Sequence, residues 1–242
     1  MRTPVLMAAQ DAPEVSLDDL SGGGDVVVLA PHPDDETLGC GGAIAALAAR
    51  GRRCQVIVVT DGARSHPASR AWPGERLARL RADEVRRAVT ILTGGRGPAP
   101  ILLGYPDGAA PDGDAAAEAA AVAILPLISP STTALWSTWA GDPHHDHGRT
   151  ARIAARICRH RPDLLPWSYP IWGRFTDAAD GFDPKSLMQF ATAPWQARKA
   201  GAVAAHASQM TGLISDDPGG FRMIDAHQHH FITAPELFLK GL

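Results

Sequence analysis

Apolar positions follow two rhythms along the 242 residues. After an irregular lead-in, residues 1–24, ending in Gly22-Gly23-Gly24, the stretch Val26-Val27-Val28-Leu29-Ala30 is a short unbroken apolar run. A strand buried on both faces reads this way. Cys54–Thr60 repeats the pattern, closed by Asp61-Gly62, and further strands read over 101–103, 133–138 and 167–172, with another expected near 187–192. Between these runs the period lengthens. Residues 75–92 set Leu77, Leu80, Val85, Ala88 and Leu92 on one side and charge on the other, which predicts an amphipathic helix. Helices also read over 38–50, 115–128, 146–160 and 195–207.

Strands alternating with helices specify a parallel sheet covered on both faces. The expected fold is therefore α/β: a Rossmann-like, mostly parallel sheet of order 3-2-1-4-5, flanked by helices. Residues 25–242 read as a single domain, with 173–242 an extension over the core.

Composition narrows the function without naming it. A net charge of −3 gives no electrostatic case for binding nucleic acid or anionic membranes. The three cysteines form no C-x-x-C pair and are odd in number, which argues against a disulfide framework and for a reducing compartment. The first residues, with Arg2 followed by Gln10, Asp11, Pro13 and Glu14, lack a signal peptide's apolar core. No run approaches the roughly 18 apolar residues of a membrane span. A cytoplasmic location is expected.

The chemistry sits in two clusters. Pro31-His32-Pro33-Asp34-Asp35-Glu36 follows the first strand at its carboxyl end, where open α/β sheets place their sites. Three adjacent acids repel one another unless a cation intervenes, and histidine with carboxylate is a ligand set suited to zinc. A plain helix N-terminus would account for the acids but not for His32 or the flanking prolines. Asp142-Pro143-His144-His145-Asp146-His147 follows the fourth strand. In the expected strand order, strands one and four are neighbours at the switch point, so the two clusters converge. Two histidines and one aspartate would give the three protein ligands of a zinc hydrolase. Gly39-Cys40-Gly41-Gly42 matches neither G-x-G-x-x-G nor a phosphate loop and reads as close helix–sheet packing.

At these residues the chain resembles the PIG-L/LmbE-like family of zinc-dependent N-acetylglucosamine deacetylases. P-H-P-D-D-E-T-L at 31–38 matches the family's first motif and H-x-D-H at 144–147 its second. Weaker echoes are Thr60-Asp61-Gly62, Arg81 with Glu84, Pro106-Asp107-Gly108, and Lys199 followed by His206-x-Ser208-Gln209. The resemblance implies a zinc-dependent N-deacetylase, with Fe2+ or Co2+ as alternative metals and a small-molecule amino sugar as substrate. It implies His32, Asp35 and His147 as metal ligands, Asp34 as general base, His144 as the group that stabilises the oxyanion, and Asp146 as the residue orienting His144. Many family members have proline where this chain has His145, so His144 and His145 compete for the oxyanion role. His144 can be charged near neutrality, which suits such a donor.

Other residues carry two readings each. Asp61 either binds sugar hydroxyls or completes a turn. Arg64, with Arg70 and Arg76, lies in a loop that either reads an anionic substrate group or is simply solvated. Asp107 and His206 are further substrate-binding candidates. Trp136, Trp139, Trp167, Trp172 and Trp195 either stack on a sugar or fill the core. His227, His229 and His230 form either a second metal site or an exposed rim patch. Specificity is expected from loops 63–74, 105–113 and 173–185. Two rival functions are a non-haem Fe(II) oxygenase using His144-x-Asp146, which would leave residues 34–36 idle, and a catalytically silent sugar- or nucleotide-binding module.

Overall fold

The computed structural model describes residues 3–177 and 181–242. Of the 173–185 loop, positions 178–180 therefore lie outside the described residues, as does Arg2. The chain runs α1 (Pro4–Ala8), α2 (Leu17–Ser21), β1 (Asp25–Ala30), α3 (Asp35–Ala49), β2 (Cys54–Thr60), α4 (Gly74–Thr93), β3 (Ile101–Tyr105) and α5 (Gly113–Ile124). It continues with β4 (Thr132–Thr138), α6 (His145–His160), β5 (Leu165–Tyr169), β6 (Leu187–Phe190), α7 (Gln196–Ala205), α8 (Ala207–Met210), α9 (Asp225–Thr233) and β7 (Glu236–Lys240).

The strands form one sheet of order β3-β2-β1-β4-β5-β7-β6. The first five are parallel, and β7 pairs antiparallel with both β5 and β6. The unbroken apolar runs follow from this, since β1 is buried on both faces. Val26 and Val28 enter the core beneath α3, α4 and α7, whereas Val27 and Leu29 enter the one beneath α5 and α6. Leu29 lies opposite Ser137 of β4, so the carboxyl ends of β1 and β4 are side by side, as the sheet order required.

Besides α9, a helix absent from the sequence reading, two segments differ from it. The lead-in is not irregular throughout. Thr3 caps α1, with Pro4 in its first turn, and Ser16 caps α2, while Val5, Leu17 and Leu20 are buried. Helices of five residues are too short to show a period and are held by caps and packing. The second difference is β7, a short apolar run close to the end of the chain, which enters the sheet between β5 and β6.

Helix α3 is broken at Cys40, whose φ of −141° is not helical. The backbone N–H groups of Gly42 and Ala43, just past the break, donate to Glu236 of β7 at 2.6 and 2.9 Å. Lys199 of α7 closes the arrangement, its Nζ 2.6 Å from Glu236 Oε1, with both side chains buried. The glycines around the break permit close packing, since a Cβ on Gly39 would lie 2.2 Å from the Tyr169 ring.

Candidate active site

The end of β1 is built to present His32. Pro31 carbonyl accepts from Thr60 N–H and Oγ1, both at 2.8 Å, which locks the strand end to β2. The chain then turns sharply at Asp34, a non-glycine residue with φ 156° and ψ −26°. Such a backbone costs on the order of 1–3 kcal/mol and persists only where its surroundings enforce it. Arg81 supplies one grip, donating from Nη2 to Pro33 carbonyl at 2.9 Å and to Asp34 Oδ2 at 3.1 Å, and from Nη1 to Gly62 carbonyl at 3.0 Å. Glu36 supplies the other by accepting from Asp34 N–H at 3.2 Å. Gly62 must be glycine here: its φ is +64°, and a Cβ would lie 2.3 Å from Arg81 Nη1.

Asp35 opens α3, where the helix N-terminus favours a negative group. Its Oδ2 stands between two imidazoles, 3.1 Å from His32 Nδ1 and 3.3 Å from His147 Nε2. The other nitrogen of each ring faces a carboxylate. His32 Nε2 is 3.3 Å from both Asp107 and Asp146, and His147 Nδ1 is 3.4 Å from Asp142. Asp142 is itself held by the N–H groups of Ile171, Trp172 and Gly173.

This arrangement fits a divalent metal. The His32 Nε2 and both His147 nitrogens are buried and make no hydrogen bond within the normal geometric limits among the described residues. Tetrahedral zinc with bonds of about 2.0–2.1 Å keeps its ligand atoms about 3.3 Å apart, close to the separations around Asp35 Oδ2. Metal-binding histidines characteristically turn their second nitrogen to a carboxylate, as both rings do. Among the described residues, the sets of three whose ligand atoms all fall within 4.8 Å of one another are His32, His144 and His147, and His32, Asp107 and Asp146. Asp35 belongs to neither set but touches the two histidines that flank it, His32 and His147.

The charges agree with a cation-seeking centre. Burial opposes charging His147, but Asp35 and Asp142 outweigh it and raise the ring to about 9. Burial likewise opposes the charged form of His32, yet Asp107, Asp146 and Asp35 hold it well above the usual histidine range. Burial raises Asp34 above the ordinary carboxylate range in spite of Arg81. His144 goes the other way. Burial, and after it the positive charge of His32 and His147, lowers it to about 4, so the charged donor expected from an ordinary histidine is disfavoured. Its Nδ1 accepts from Asp146 N–H at 3.3 Å, which leaves the proton of the neutral ring on Nε2.

Of these groups His32, Asp34, Asp35, Arg81, Asp107 and His144 line one cavity of about 890 Å³, while His147 is fully buried. Residues 27–158, which contain both clusters, match the family described as PIG-L, GlcNAc-PI de-N-acetylase. The chain belongs to the PIG-L family. No curated protein matches it. Among solved structures it is similar to the N,N'-diacetylchitobiose deacetylase of Pyrococcus horikoshii, with 21% identity, 82% of this chain and 76% of that one covered, and a TM-score of 0.61. It is also similar to the A40926 pseudoaglycone deacetylase Dbv21, with 20% identity, coverage of 89% and 96%, and a TM-score of 0.61. GalB, a 4-carboxy-2-hydroxymuconate hydratase of Pseudomonas putida, shares the fold at 17% identity, with coverage of 77% and 80% and a TM-score of 0.57. These likenesses establish the fold; the family match rests on the sequence.

The PIG-L motifs bring His32, Asp34, Asp35, His144, Asp146 and His147 together, but not every candidate joins them. His144 lines the cavity, whereas His145 is outside it, exposed, with Nε2 against Gly108 carbonyl at 3.2 Å. The Asp146 carboxylate accepts from Gly108 and Ala110 N–H and meets His32; it orients His144 only through its backbone N–H. Arg64 and Asp107 line the cavity. Asp61 does not: its Oδ1 accepts from Ala63 and Asp107 N–H, both at 3.0 Å, as a turn residue would. His206 is also away from the cavity, fully buried with Nε2 3.2 Å from Thr37 Oγ1. Of the tryptophans, Trp172 lines the cavity while Trp136, Trp139 and Trp167 are buried. Arg81 gave only a weak motif echo, and nothing in the sequence assigned a role to Glu36 or Asp142. The nearest signal for Asp142 was its place beside a histidine cluster.

Proposed function

We propose that the chain is a metal-dependent hydrolase that removes an N-acyl group, acetyl in the simplest case, from an amino sugar or amino-sugar conjugate. The observation that carries this reading is the pair of imidazoles that each turn one nitrogen to Asp35 and the other to an outer carboxylate, with Asp34 beside them in an open cavity.

In this reading His32, Asp35 and His147 hold the metal, zinc by donor type, with Fe2+ or Co2+ tolerated by the same ligands. When bound, the metal supplies Lewis-acid charge and lowers the pKa of a water towards 7. Asp34 takes a proton from the attacking water and returns it to the leaving amine nitrogen, so that amide plus water gives amine plus carboxylate. Its raised affinity for a proton, set by burial, suits that exchange. His144 donates from Nε2 to the amide oxygen as it becomes anionic, and a neutral imidazole is an adequate donor for that purpose. Asp107 and Arg64 contact the sugar. The free cysteines, Cys40, Cys54 and Cys158, suit the reducing cytoplasm. No helix among the described residues is long and apolar enough to cross a membrane.

The test is metal content of the purified protein beside that of His147→Ala, followed by a screen of N-acetylated sugars for released amine. One equivalent of metal, lost in the variant, together with amine release, is expected. Equal metal in both proteins removes His147 from the ligand set. Metal binding with no turnover of any amide favours the silent binding module, and 2-oxoacid-dependent oxidation with Fe(II) favours the oxygenase.

A further inference from the structure

The cavity has a mixed lining. Besides its acids and histidines it includes Trp172, Phe221 and Met223, with the polar Gln209 and Arg222 among them. Trp172 and Phe221 meet edge to face, with ring centroids 5.6 Å apart, and both remain partly exposed. The aromatic surface continues away from the centre. His227 is 6.4 Å from Trp172 and stacks on Phe175 at 3.8 Å, and Ile224, beside Met223, is 55% exposed. Burial lowers the affinity of His227 and His230 for a proton, so these two rings extend an uncharged surface.

This aromatic surface is fixed to the reacting centre. Trp172 N–H donates to Asp142, the carboxylate behind His147. Phe221 N–H donates to Ser65 carbonyl at 2.7 Å, and Met223 N–H to Gln209 carbonyl at 2.9 Å. Asp216 and Asp217 tie the same segment to the 63–74 loop by accepting the N–H groups of Ala68, Arg70 and Ala71. Partly exposed aromatic rings held by backbone bonds form a platform that is organised before any ligand arrives. A lone acetamido sugar satisfies the polar groups and leaves the platform wet. The volume, about 890 Å³, is near the top of the roughly 300–1,000 Å³ range of clefts that hold drug-sized ligands.

Resting on the deacetylase reading, we infer that the substrate is an amino-sugar conjugate carrying a flat apolar group, which packs on Trp172 and Phe221 while the amide faces Asp34. The group hangs either from the glycosidic carbon or from the acyl carbon, and the same platform serves both.

The experiment compares phenyl N-acetyl-β-D-glucosaminide, N-benzoyl-glucosamine and free N-acetylglucosamine as substrates of the metal-loaded protein, reading released amine. A ring contact of this kind is worth about three- to tenfold, so kcat/KM for one of the two conjugates should exceed that of the free sugar by about that factor. The ratio should collapse towards one in Trp172→Ala and recover in Trp172→Phe. Both variants keep the backbone N–H that Asp142 accepts, and Phe221→Leu offers a second route should Trp172→Ala fail to fold. Binding of the phenyl glycoside to metal-free protein, followed by equilibrium dialysis, should weaken in the same variants. Preference for the phenyl glycoside puts the group on the glycosidic side; preference for the benzoyl amide puts it on the acyl side. Equal turnover of all three overturns the inference and leaves the deacetylase standing. No amine from any of them removes the deacetylase reading and the inference with it.

Discussion

The five parallel strands and the antiparallel edge formed by β7 and β6 serve the cavity in different ways. The parallel part places the proposed reactive groups at strand ends: His32, Asp34 and Asp35 after β1, His144, Asp146 and His147 after β4. The antiparallel part supplies none of these. Its Glu236 instead reaches under α3 and accepts the N–H groups left open by the break at Cys40, while the segments around it carry Trp172, Phe221 and Met223 to the cavity. Chemistry and surroundings are thus divided along the chain. The family match, which stops at residue 158, covers the chemistry and leaves out most of the surroundings. Relatives with the same reactive groups can therefore differ in what they accept.

The sharpest way to break this division is at Asp34. Asp34→Asn keeps the volume and the Arg81 contact but cannot take a proton. We expect kcat to fall by roughly 10²–10⁴, the usual contribution of a positioned acid–base group, with metal content unchanged. Kinetics with metal analysis on the same sample checks it. Loss of metal along with activity would move Asp34 into the ligand set.

In the antiparallel part the largest effect should be on folding. Glu236 and Lys199 are buried against each other at 2.6 Å, and removing one partner leaves the other as an uncompensated charge. Glu236→Ala should destabilise the protein by about 3–5 kcal/mol, read by urea unfolding, and the double replacement of Glu236 and Lys199 by Gln and Met should recover much of that. If the single variant also lost metal affinity at temperatures where it stays folded, the break in α3 would be tied directly to the placement of Asp35.

Asp142 bridges the two regions, since it faces His147 Nδ1 and also accepts from Ile171, Trp172 and Gly173. Asp142→Asn weakens the ring's partner without removing a ligand. Metal affinity should fall by about 10–100-fold, measured by competition with a chelator. An unchanged affinity would make Asp142 a brace for the 171–173 turn alone.

How far the sequence reveals these parts depends on the distance between partners. The meeting of His32 through Glu36 with His144 through His147 is legible because both clusters stand out by residue type at short spacing, and the order of parallel strands brings their ends together. Arg81 grips residues 19 and 47 positions away, and nothing local announces that. His206 has the residue type of a binding group, but a helix position alone does not say which face meets the cavity; here it is turned to Thr37 and Glu36. Strand β7 carries a three-residue apolar run whose meaning comes from pairing with β5 and β6, long-range information absent from any window of the chain. The neutral state of His144 was likewise hidden, because it arises from burial and from cationic neighbours brought in by the fold.

Asp61 gives the smallest effect and sharpens where the substrate region begins. Its Oδ1 accepts from Ala63 and Asp107 N–H, so it joins the loop after β2 to the loop after β3 without entering the cavity. Asp61→Ala leaves two backbone donors without this acceptor, and because the site is only partly buried, water replaces part of what is lost. A stability loss of about 1–2 kcal/mol is expected. The kinetic consequence should pass through Asp107, whose carboxylate accepts from Arg64 N–H at 3.0 Å and lies beside His32 Nε2. Displacing Asp107 on the sugar side should raise KM several-fold with kcat nearly kept, because Asp34 and His144 are anchored by other elements. A fall in kcat with KM unchanged would show instead that Asp107 matters mainly as the carboxylate behind His32, and the boundary between substrate contact and metal support would shift one residue inward.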